Sequence, residues 1–272
     1  MINALLSIFD NLYTRFFRYL IYKLEWKVKV SRLGSNYGGW SFINDDNLIE
    51  KTVISGGVGE DISFDIEFLN LYKGKVIFVD PTPRALTHIE NVIRNLGESK
   101  SVDYSLDGNQ SCSSYDLKNL NTSQFIVEPY ALFNKDFETV NFFPPKNNNH
   151  VSFSISNWQN VSELDENRIS VETITIKSLM EKYKIDHVPL IKLDIEGAAE
   201  NQVLPNILKQ KILPDQILVE FDELHNLKFY PYFKCTILIF KLLFHGYVLI
   251  QTNKFPDMLF VKKRLLRLTE NI

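Results

Sequence analysis

The sequence predicts an α/β fold built on a mostly parallel sheet, and three observations predict it. From Lys51 onward, short β-branched runs alternate with longer amphipathic stretches, a pattern typical of strands joined by crossover helices. The short runs are mostly apolar, as expected for strands that are covered on both faces. A strand, a glycine turn and a helix start follow one another at residues 53–62, which predicts a Rossmann-like order of elements.

Residues 1–30 have a pattern of their own, ahead of a predicted domain at 31–272. Between Met1 and Leu24, apolar residues recur at three- and four-residue steps, which predicts an amphipathic helix. An ordinary membrane-spanning helix is excluded by the charges of Asp10, Arg15, Arg18 and Lys23. We expect the helix to pack on its own domain or on a second copy of the chain, and contact with a membrane surface is the alternative.

Five strands and four helices are predicted between residues 51 and 221. The strands are Thr52–Ser55, Lys75–Val79, Gln124–Val127, Leu190–Leu193 and Gln216–Phe221. The helices are Ile62–Tyr72, Arg84–Leu96, Ile176–Tyr183 and Ala199–Gln210. The stretch Glu98–Ser123 is rich in Ser, Asn, Asp and Gly and is predicted to be a loop.

The regular alternation lapses after the third strand. Short extended pieces are predicted at Glu138–Phe143, Ser152–Ser156 and Ile169–Thr175, as an insertion over the carboxyl edge of the sheet. The end of the chain predicts a hairpin of Gly246–Ile250 and Met258–Lys262. This hairpin would add an antiparallel strand to the parallel ones.

Composition limits the classes of partner. The chain has 272 residues, of which 45% are hydrophobic and 23% charged, as in a soluble globular protein. The net charge of -3 gives no overall field that would attract nucleic acid, so a small molecule or a glycan is the expected partner. Cys112 and Cys235 provide neither a disulfide framework nor a thiolate zinc site, which favours a cytoplasmic location.

The glycine turn after the first predicted strand is the expected cofactor site. Gly57 and Gly59 let the backbone approach a ligand at the point where open α/β sheets bind nucleotides. The second strand is followed by Asp80, which lies 21 residues beyond Gly59. Acids that bind a ribose have a spacing of about 20 residues, so Asp80 and the following Pro81 are predicted to contact a nucleoside.

The charges at the turn decide which nucleotide fits. The third glycine of the dinucleotide-binding pattern falls at Ile62, and Glu60 and Asp61 would repel a pyrophosphate at short range. S-adenosylmethionine carries a sulfonium and an ammonium group, so the same two carboxylates favour it over NAD. Acids in the first turn of a helix also complement the helix dipole, and this structural role is the alternative for Asp61.

The fourth predicted strand carries charges beside a run that should be buried. Lys192, Asp194 and Glu196 need partners or a chemical task there, and the two acids would emerge at the carboxyl edge beside the glycine turn. Glu220 and Asp222 stand likewise at the end of the fifth strand. Carboxylates at this edge could orient or deprotonate a hydroxyl acceptor. A structural ion pair between Lys192 and Asp194 is the alternative.

These residues resemble the signature of the FkbM-family methyltransferases. Residues 192–197 read Lys-Leu-Asp-Ile-Glu-Gly, and Glu200 follows. The stretches that resemble the family in the same order are 57–64, 80–84, 142–145, 150–152 and 217–221. Their residues are Gly-Val-Gly-Glu-Asp-Ile-Ser-Phe, Asp-Pro-Thr-Pro-Arg, Phe-Phe-Pro-Pro, His-Val-Ser and Ile-Leu-Val-Glu-Phe. The resemblance covers roughly residues 33–262. Ser55 and Asp61 depart from it, because the family frequently has an acid and a third glycine at these positions.

The resemblance implies a class I methyltransferase fold, S-adenosylmethionine as the methyl donor, and O-methylation, often of a sugar. We predict Asp194 or Glu196 as the general base, with His150 as a further candidate from its motif. The residues predicted to contact the acceptor are Ser152, Lys192, Glu220 and Asp222. Trp40, in the segment Tyr37-Gly-Gly-Trp40, is predicted to lie over the cofactor or the acceptor, and core packing is its alternative. No metal ligand set is predicted.

Three other functions fit parts of the same pattern. A metal-dependent glycosyltransferase would use Asp194 and Glu196 as hard oxygen ligands. A non-catalytic scaffold would account for the departures at Ser55 and Asp61. A nicotinamide oxidoreductase is disfavoured by Ile62 and by the two acids of the turn.

Overall fold

The computed structural model describes residues 2–143, 168–252 and 254–269. Within these ranges the strands are β1 Glu25–Trp26, β2 Ser31–Leu33, β3 Trp40–Phe42, β4 Thr52–Gly56, β5 Lys75–Val79, β6 Phe125–Glu128, β7 Ala131–Leu132, β8 Thr139–Phe142, β9 Ile169–Ile174, β10 Leu190–Leu193, β11 Gln216–Glu220, β12 Tyr247–Ile250 and β13 Asp257–Lys262. The α-helices are α1 Ile2–Leu24, α2 Ser63–Tyr72, α3 Pro83–Arg94, α4 Ile176–Tyr183, α5 Leu204–Lys209, α6 Phe229–Phe244 and α7 Lys263–Thr269. A π-helical turn, Ala199–Val203, leads into α5.

Eight strands form the main sheet, in the order β1-β12-β13-β11-β10-β4-β5-β6. β13 runs antiparallel to both of its neighbours, β11 and β12, and the other neighbouring strands pair in parallel. The predicted α/β fold, with a mostly parallel sheet and a C-terminal antiparallel strand, is confirmed. β1 was not predicted, and it pairs with β12 at the edge of the sheet.

The order of the strands reverses between β4 and β10. From β4 the chain continues through β5 and β6 on one side, and it returns on the other side of β4 through β10 and β11. Open parallel sheets bind ligands at such a switch point, outside the carboxyl ends of the strands. The antiparallel β13 begins at this same edge, because Asp257 pairs with Glu220 at the end of β11.

Helices cover both faces of the sheet, and successive strand residues alternate between the faces. Ile54 and Ile191 pack in the apolar cluster that α1, α5 and α6 share. Val53 and Leu190 pack in the cluster that α2 and α3 share. The strands read as continuous apolar runs in the sequence because helices cover the sheet on both faces. Phe17 of α1 is fully buried in the first cluster, so α1 packs on its own domain.

Local sequence accounts for where several helices begin. Thr175 caps α4, because its side-chain oxygen accepts from Ser178 N at 3.1 Å. The bounds of α4 are the predicted ones. Pro83 suits the first turn of α3, where its missing N–H costs nothing. α6 was not predicted, since its apolar residues surround the helix and leave no amphipathic spacing. None of the described helices is long and apolar enough to cross a membrane.

The insertion after β6 forms a small sheet in the order β7-β9-β8, which confirms the extended pieces predicted near residues 138–143 and 169–175. Leu132 of β7 lies directly over Gly56, where a Cβ atom would come within 2.4 Å of Leu132 Cδ1. The insertion therefore starts over the carboxyl edge, as predicted. The extended piece predicted at 152–156 lies outside the described residues.

Candidate active site

The glycine turn of residues 57–59 lies at the switch point. Gly57 and Gly59 both have left-handed backbones, with φ of 73° and 58°. A Cβ atom on Gly57 would lie 1.6 Å from the backbone oxygen of Asp194, so only glycine fits at this position. Asp194 N also donates to Gly56 O at 3.0 Å. The turn is therefore in direct contact with the end of β10.

The carboxylate of Asp80 holds this turn in place. Its Oδ2 accepts from Val58 N at 2.8 Å and from Gly59 N at 3.2 Å. Its Oδ1 accepts from the backbone and the hydroxyl of Thr82, at 2.8 and 2.6 Å. Asp80 thus shapes the surface that a nucleoside would contact. The ribose contact of Asp80 and Pro81 remains a prediction.

Glu60 has a cationic partner at the turn. Its carboxylate forms an ion pair with Arg84 of α3, whose charge offsets that of Glu60. The repulsion expected for a pyrophosphate therefore depends mainly on Asp61. The cofactor contact of Glu60 stays a prediction.

Asp61 joins the loop of residues 34–39 to the start of α2. Its Oδ2 accepts from Ser35 Oγ at 2.6 Å, and from Gly38 N and Gln110 Nε2, both at 3.2 Å. Its Oδ1 accepts from Ser63 N at 3.0 Å, in the first turn of α2. This is a structural role at the helix start, as the alternative interpretation of the sequence had it. A cofactor contact of Asp61 stays a prediction.

Lys192 lies beneath the glycine turn. Its side chain is buried, with 2% of the residue exposed, and Nζ donates to Gly57 O at 2.8 Å and to Ser55 Oγ at 3.5 Å. Lys192 also faces Asp65, whose pKa is raised by burial and lowered in part by the lysine charge. A salt bridge with Asp194 is not found among the described residues. The ammonium group thus supports the turn from below, and its contact with an acceptor remains a prediction.

Three carboxylates meet where β10 and β11 end and β13 begins. Asp257 and Glu220 are partners in register, and Asp194 follows the last registered pair of β10 and β11, which puts it beside Glu220. Burial raises the pKa of Glu220 to about 7, the charges of Asp194 and Asp257 add to this effect, and a hydrogen bond with His225 opposes it. Near neutral pH, protonated and ionised forms of Glu220 are therefore both populated.

Glu196 stands on a sharp turn that Asp222 anchors. Glu196 and Gly197 have positive φ, of 45° and 82°, and Gly197 N donates to Asp222 Oδ2 at 2.8 Å. Burial, followed by the charges of Glu196 and Glu220, raises the pKa of Asp222 well above its usual range. Asp222 therefore orients the turn that carries Glu196, and its contact with an acceptor stays a prediction.

Glu220, Asp222 and His225 form a group that could hold a metal ion. One ligand atom of each lies within 4.8 Å of the others. This set differs from the pair of Asp194 and Glu196 considered from the sequence. Its members already have protein partners, because Asp222 accepts from Gly197 N and His225 Nε2 lies 3.3 Å from Glu220 Oε1.

Tyr37 faces the acids, whereas Trp40 of the same segment does not. Trp40 is 3% exposed and packs in the core, which agrees with the core-packing alternative. Tyr37 is 48% exposed. Burial, and then the charges of Asp194 and Glu196, raise the pKa of its hydroxyl. Tyr37 and His225 are thus site residues that the sequence analysis did not identify. The sequence signal for Tyr37 is the glycine pair that follows it, which is typical of an exposed loop.

The structure brings the two predicted halves of the site together. The turn with Gly57, Gly59 and Asp80 touches the strand end with Asp194, and the acids of β11 lie next to it. Two other predicted residues, His150 and Ser152, lie outside the described residues.

The chain matches one family model, described as the methyltransferase FkbM domain, over residues 52–249. No curated protein and no solved structure matches it. The matched span includes the glycine turn, Asp80 and the strand ends that carry Asp194 and Glu220.

Proposed function

Because the chain belongs to the FkbM methyltransferase family, we propose that it transfers a methyl group from S-adenosylmethionine to a hydroxyl oxygen of a small polar acceptor such as a sugar. Membership of this family shows that the chain is a methyltransferase. The identity of the methyl donor and the class of the acceptor are what we propose. The observation that carries it is the contact of Gly57 with Asp194, because the turn that is predicted to bind a nucleoside thereby lies next to a cluster of carboxylates.

The charge of the edge supports a cationic donor. Asp194 and Glu196 lie near the turn. Glu220 and Asp222 lie beside them and carry less negative charge, because their pKa values are raised. A sulfonium and an ammonium group are attracted to such an edge, whereas a pyrophosphate is repelled at short range. The same field disfavours phosphorylated acceptors.

A hydroxyl acceptor suits the carboxylates because they can both accept and donate hydrogen bonds. Asp194 lies beside Glu220, whose pKa is about 7, so one oxygen can accept a proton while a neighbouring carboxyl group donates one. Adjacent hydroxyls of a sugar offer the matching set of donors and acceptors. This supports a polyhydroxylated acceptor over an apolar one.

The reaction is an in-line displacement at the methyl carbon. The bond from carbon to sulfur breaks as the bond from carbon to the acceptor oxygen forms, and the donor leaves as neutral S-adenosylhomocysteine. The acceptor proton passes to Asp194 or Glu196. Alignment of donor and acceptor can contribute ~7 to 11 kcal/mol, and the general base about 100- to 10,000-fold in rate.

A transfer assay with S-adenosylmethionine labelled in its methyl group tests this function. We expect label in hydroxyl acceptors from a panel of sugars and polyols, with no label in matched amino compounds. Since Glu220, Asp222 and His225 have protein partners, the rate should be unchanged in EDTA. Label in amines alone would contradict O-methylation. Loss of transfer in EDTA, restored by a divalent cation, would favour the metal-dependent alternative at these three residues.

A further inference from the structure

Two helices on one face of the sheet expose apolar side chains in regular stripes. On α1 the stripe consists of Phe9, Leu12, Phe16 and Tyr19, and on α6 of Tyr230, Phe233, Ile237, Phe240 and Phe244. Both follow steps of three and four residues, so each stripe lies along one side of its helix. The exposed fractions run from 38% to 88%, although each helix already buries another apolar side in the core. Each helix therefore has a second apolar side that faces outward, in addition to the side that it buries.

Aromatic contacts join the two stripes into one surface. The ring centroids of Phe16 and Tyr13 are 6.0 Å apart, those of Tyr13 and Phe229 4.6 Å, and those of Phe229 and Phe233 5.4 Å. Phe9 also contacts Phe229 at 4.9 Å. We call the two stripes together with these linking rings the aromatic surface. Exposed apolar areas of this kind mark contacts with a partner or a membrane.

Exposed basic side chains accompany the stripe of α1 along the chain, on α1 itself and on the segment that follows it. Arg15, Arg18, Lys23, Lys27 and Lys29 are all exposed. Their contacts are largely with aromatic rings, since Arg18 lies over Phe255 at 5.1 Å and Lys23 over Tyr19 at 5.5 Å.

The acids in the same part of the chain are fewer than the cations. Residues 9–30 contain two acids, Asp10 and Glu25, against the five basic residues, and Asp10 accepts from Phe229 N at 2.8 Å. The outward charge beside the aromatic surface is therefore positive.

We propose that the aromatic surface docks on an anionic lipid bilayer. Aromatic rings beside Lys and Arg are typical of surfaces that lie at the boundary of headgroups and acyl chains. Anionic headgroups would complement the five cations, each worth about a fivefold gain in affinity. A two-fold contact with a second copy would instead bring the same cations against each other. Charge complementarity thus favours lipid over a second copy.

The position of the surface links it to the edge that carries the site. α6 begins just after the turn Asp222–His225. Arg18 contacts Phe255, and the preceding Lys254 pairs with Asp257 at 2.8 Å. A docked chain would therefore hold the carboxyl edge of its sheet close to the bilayer. The docking does not depend on the proposed reaction, and its test measures binding only.

Co-sedimentation of the full chain with vesicles tests the proposal. The vesicles are phosphatidylcholine alone, or phosphatidylcholine mixed with phosphatidylglycerol. We expect binding to the anionic vesicles and at least about tenfold weaker binding to the neutral ones. The double variant Phe16→Ser and Phe233→Ser should bind the anionic vesicles at least about tenfold more weakly. Leu71→Ser is the matched control, because Leu71 is 52% exposed on α2, on the opposite face, and its binding should equal that of the wild type.

Three results would overturn the docking. The first is a folded wild-type chain that does not pellet with anionic vesicles. The second is equal binding by the double variant and the Leu71→Ser control. The third is a wild-type dimer in sedimentation velocity that the double variant converts to a monomer, which would identify a second copy as the occupant.

Discussion

Gly57→Ala is expected to abolish methyl transfer and to lower the free energy of unfolding by about 3 kcal/mol or more. The new Cβ atom would lie 1.6 Å from Asp194 O, at a residue whose φ is 73°. The turn and the end of β10 would have to separate, which would displace the Asp80 bonds and Asp194 together. Urea unfolding gives the change in stability, and the labelled-methyl assay gives the activity.

Gly59→Ala is the matched control for this substitution. Gly59 also has a positive φ, of 58°, yet a Cβ atom there would meet nothing within 4 Å. We expect a loss of about 1 to 2 kcal/mol from the backbone conformation alone, with the fold retained. The added methyl group would enter the space predicted for the cofactor, so S-adenosylmethionine should bind more weakly. Equal stability of the two variants would contradict the contact between the turn and β10.

Asp194→Asn should lower kcat by about 100- to 10,000-fold. The asparagine keeps the size of the side chain but cannot take the acceptor proton. Stability should be unchanged or higher, because the substitution removes a negative charge next to the buried Glu220. The affinity for S-adenosylmethionine should change little. Single-turnover rates at saturating donor measure the chemical step.

Asp257→Asn and Glu196→Gln are the comparisons that make this result specific. Asp257 belongs to the same carboxylate group but pairs with Lys254, so its substitution should affect kcat far less. Glu196 is the second predicted base, and a large loss there with near-normal Asp194→Asn would assign the base to Glu196. Near-normal turnover in both variants would refute a carboxylate base at this strand end.

The parallel sheet could be predicted because burial on both faces leaves apolar runs in the sequence. β10 and α4 appear at the predicted residues, and the glycine turn and Asp80, which the sequence pattern groups together, are joined by hydrogen bonds at the switch point. Local signals of this kind depend only on neighbours along the chain. α6 lacked such a signal. Apolar residues lie on two of its sides, one buried in the core and one in the aromatic surface, so the sequence shows no polar side that would reveal the helical period.

The partners of the charged residues could not be predicted, because they are distant along the chain. Asp61 bonds to Ser35 and Gln110, and Lys192 bonds to Gly57. Sequence patterns identify such groups as needing a partner, but the fold selects the partner. The same limit applies to Trp40, which is predicted to lie over the cofactor or the acceptor, with core packing as the alternative. The fold buries Trp40 and exposes Tyr37.

Calorimetric titration of the full chain with S-adenosylmethionine tests the central claim most directly, with NADH as the control ligand and Asp80→Ala as the control variant. Stoichiometric binding of S-adenosylmethionine is predicted, weakened in Asp80→Ala because the Val58 and Gly59 amides lose their acceptor, and with no heat from NADH. A folded wild-type chain that binds NADH, or that binds no S-adenosylmethionine, would contradict the account.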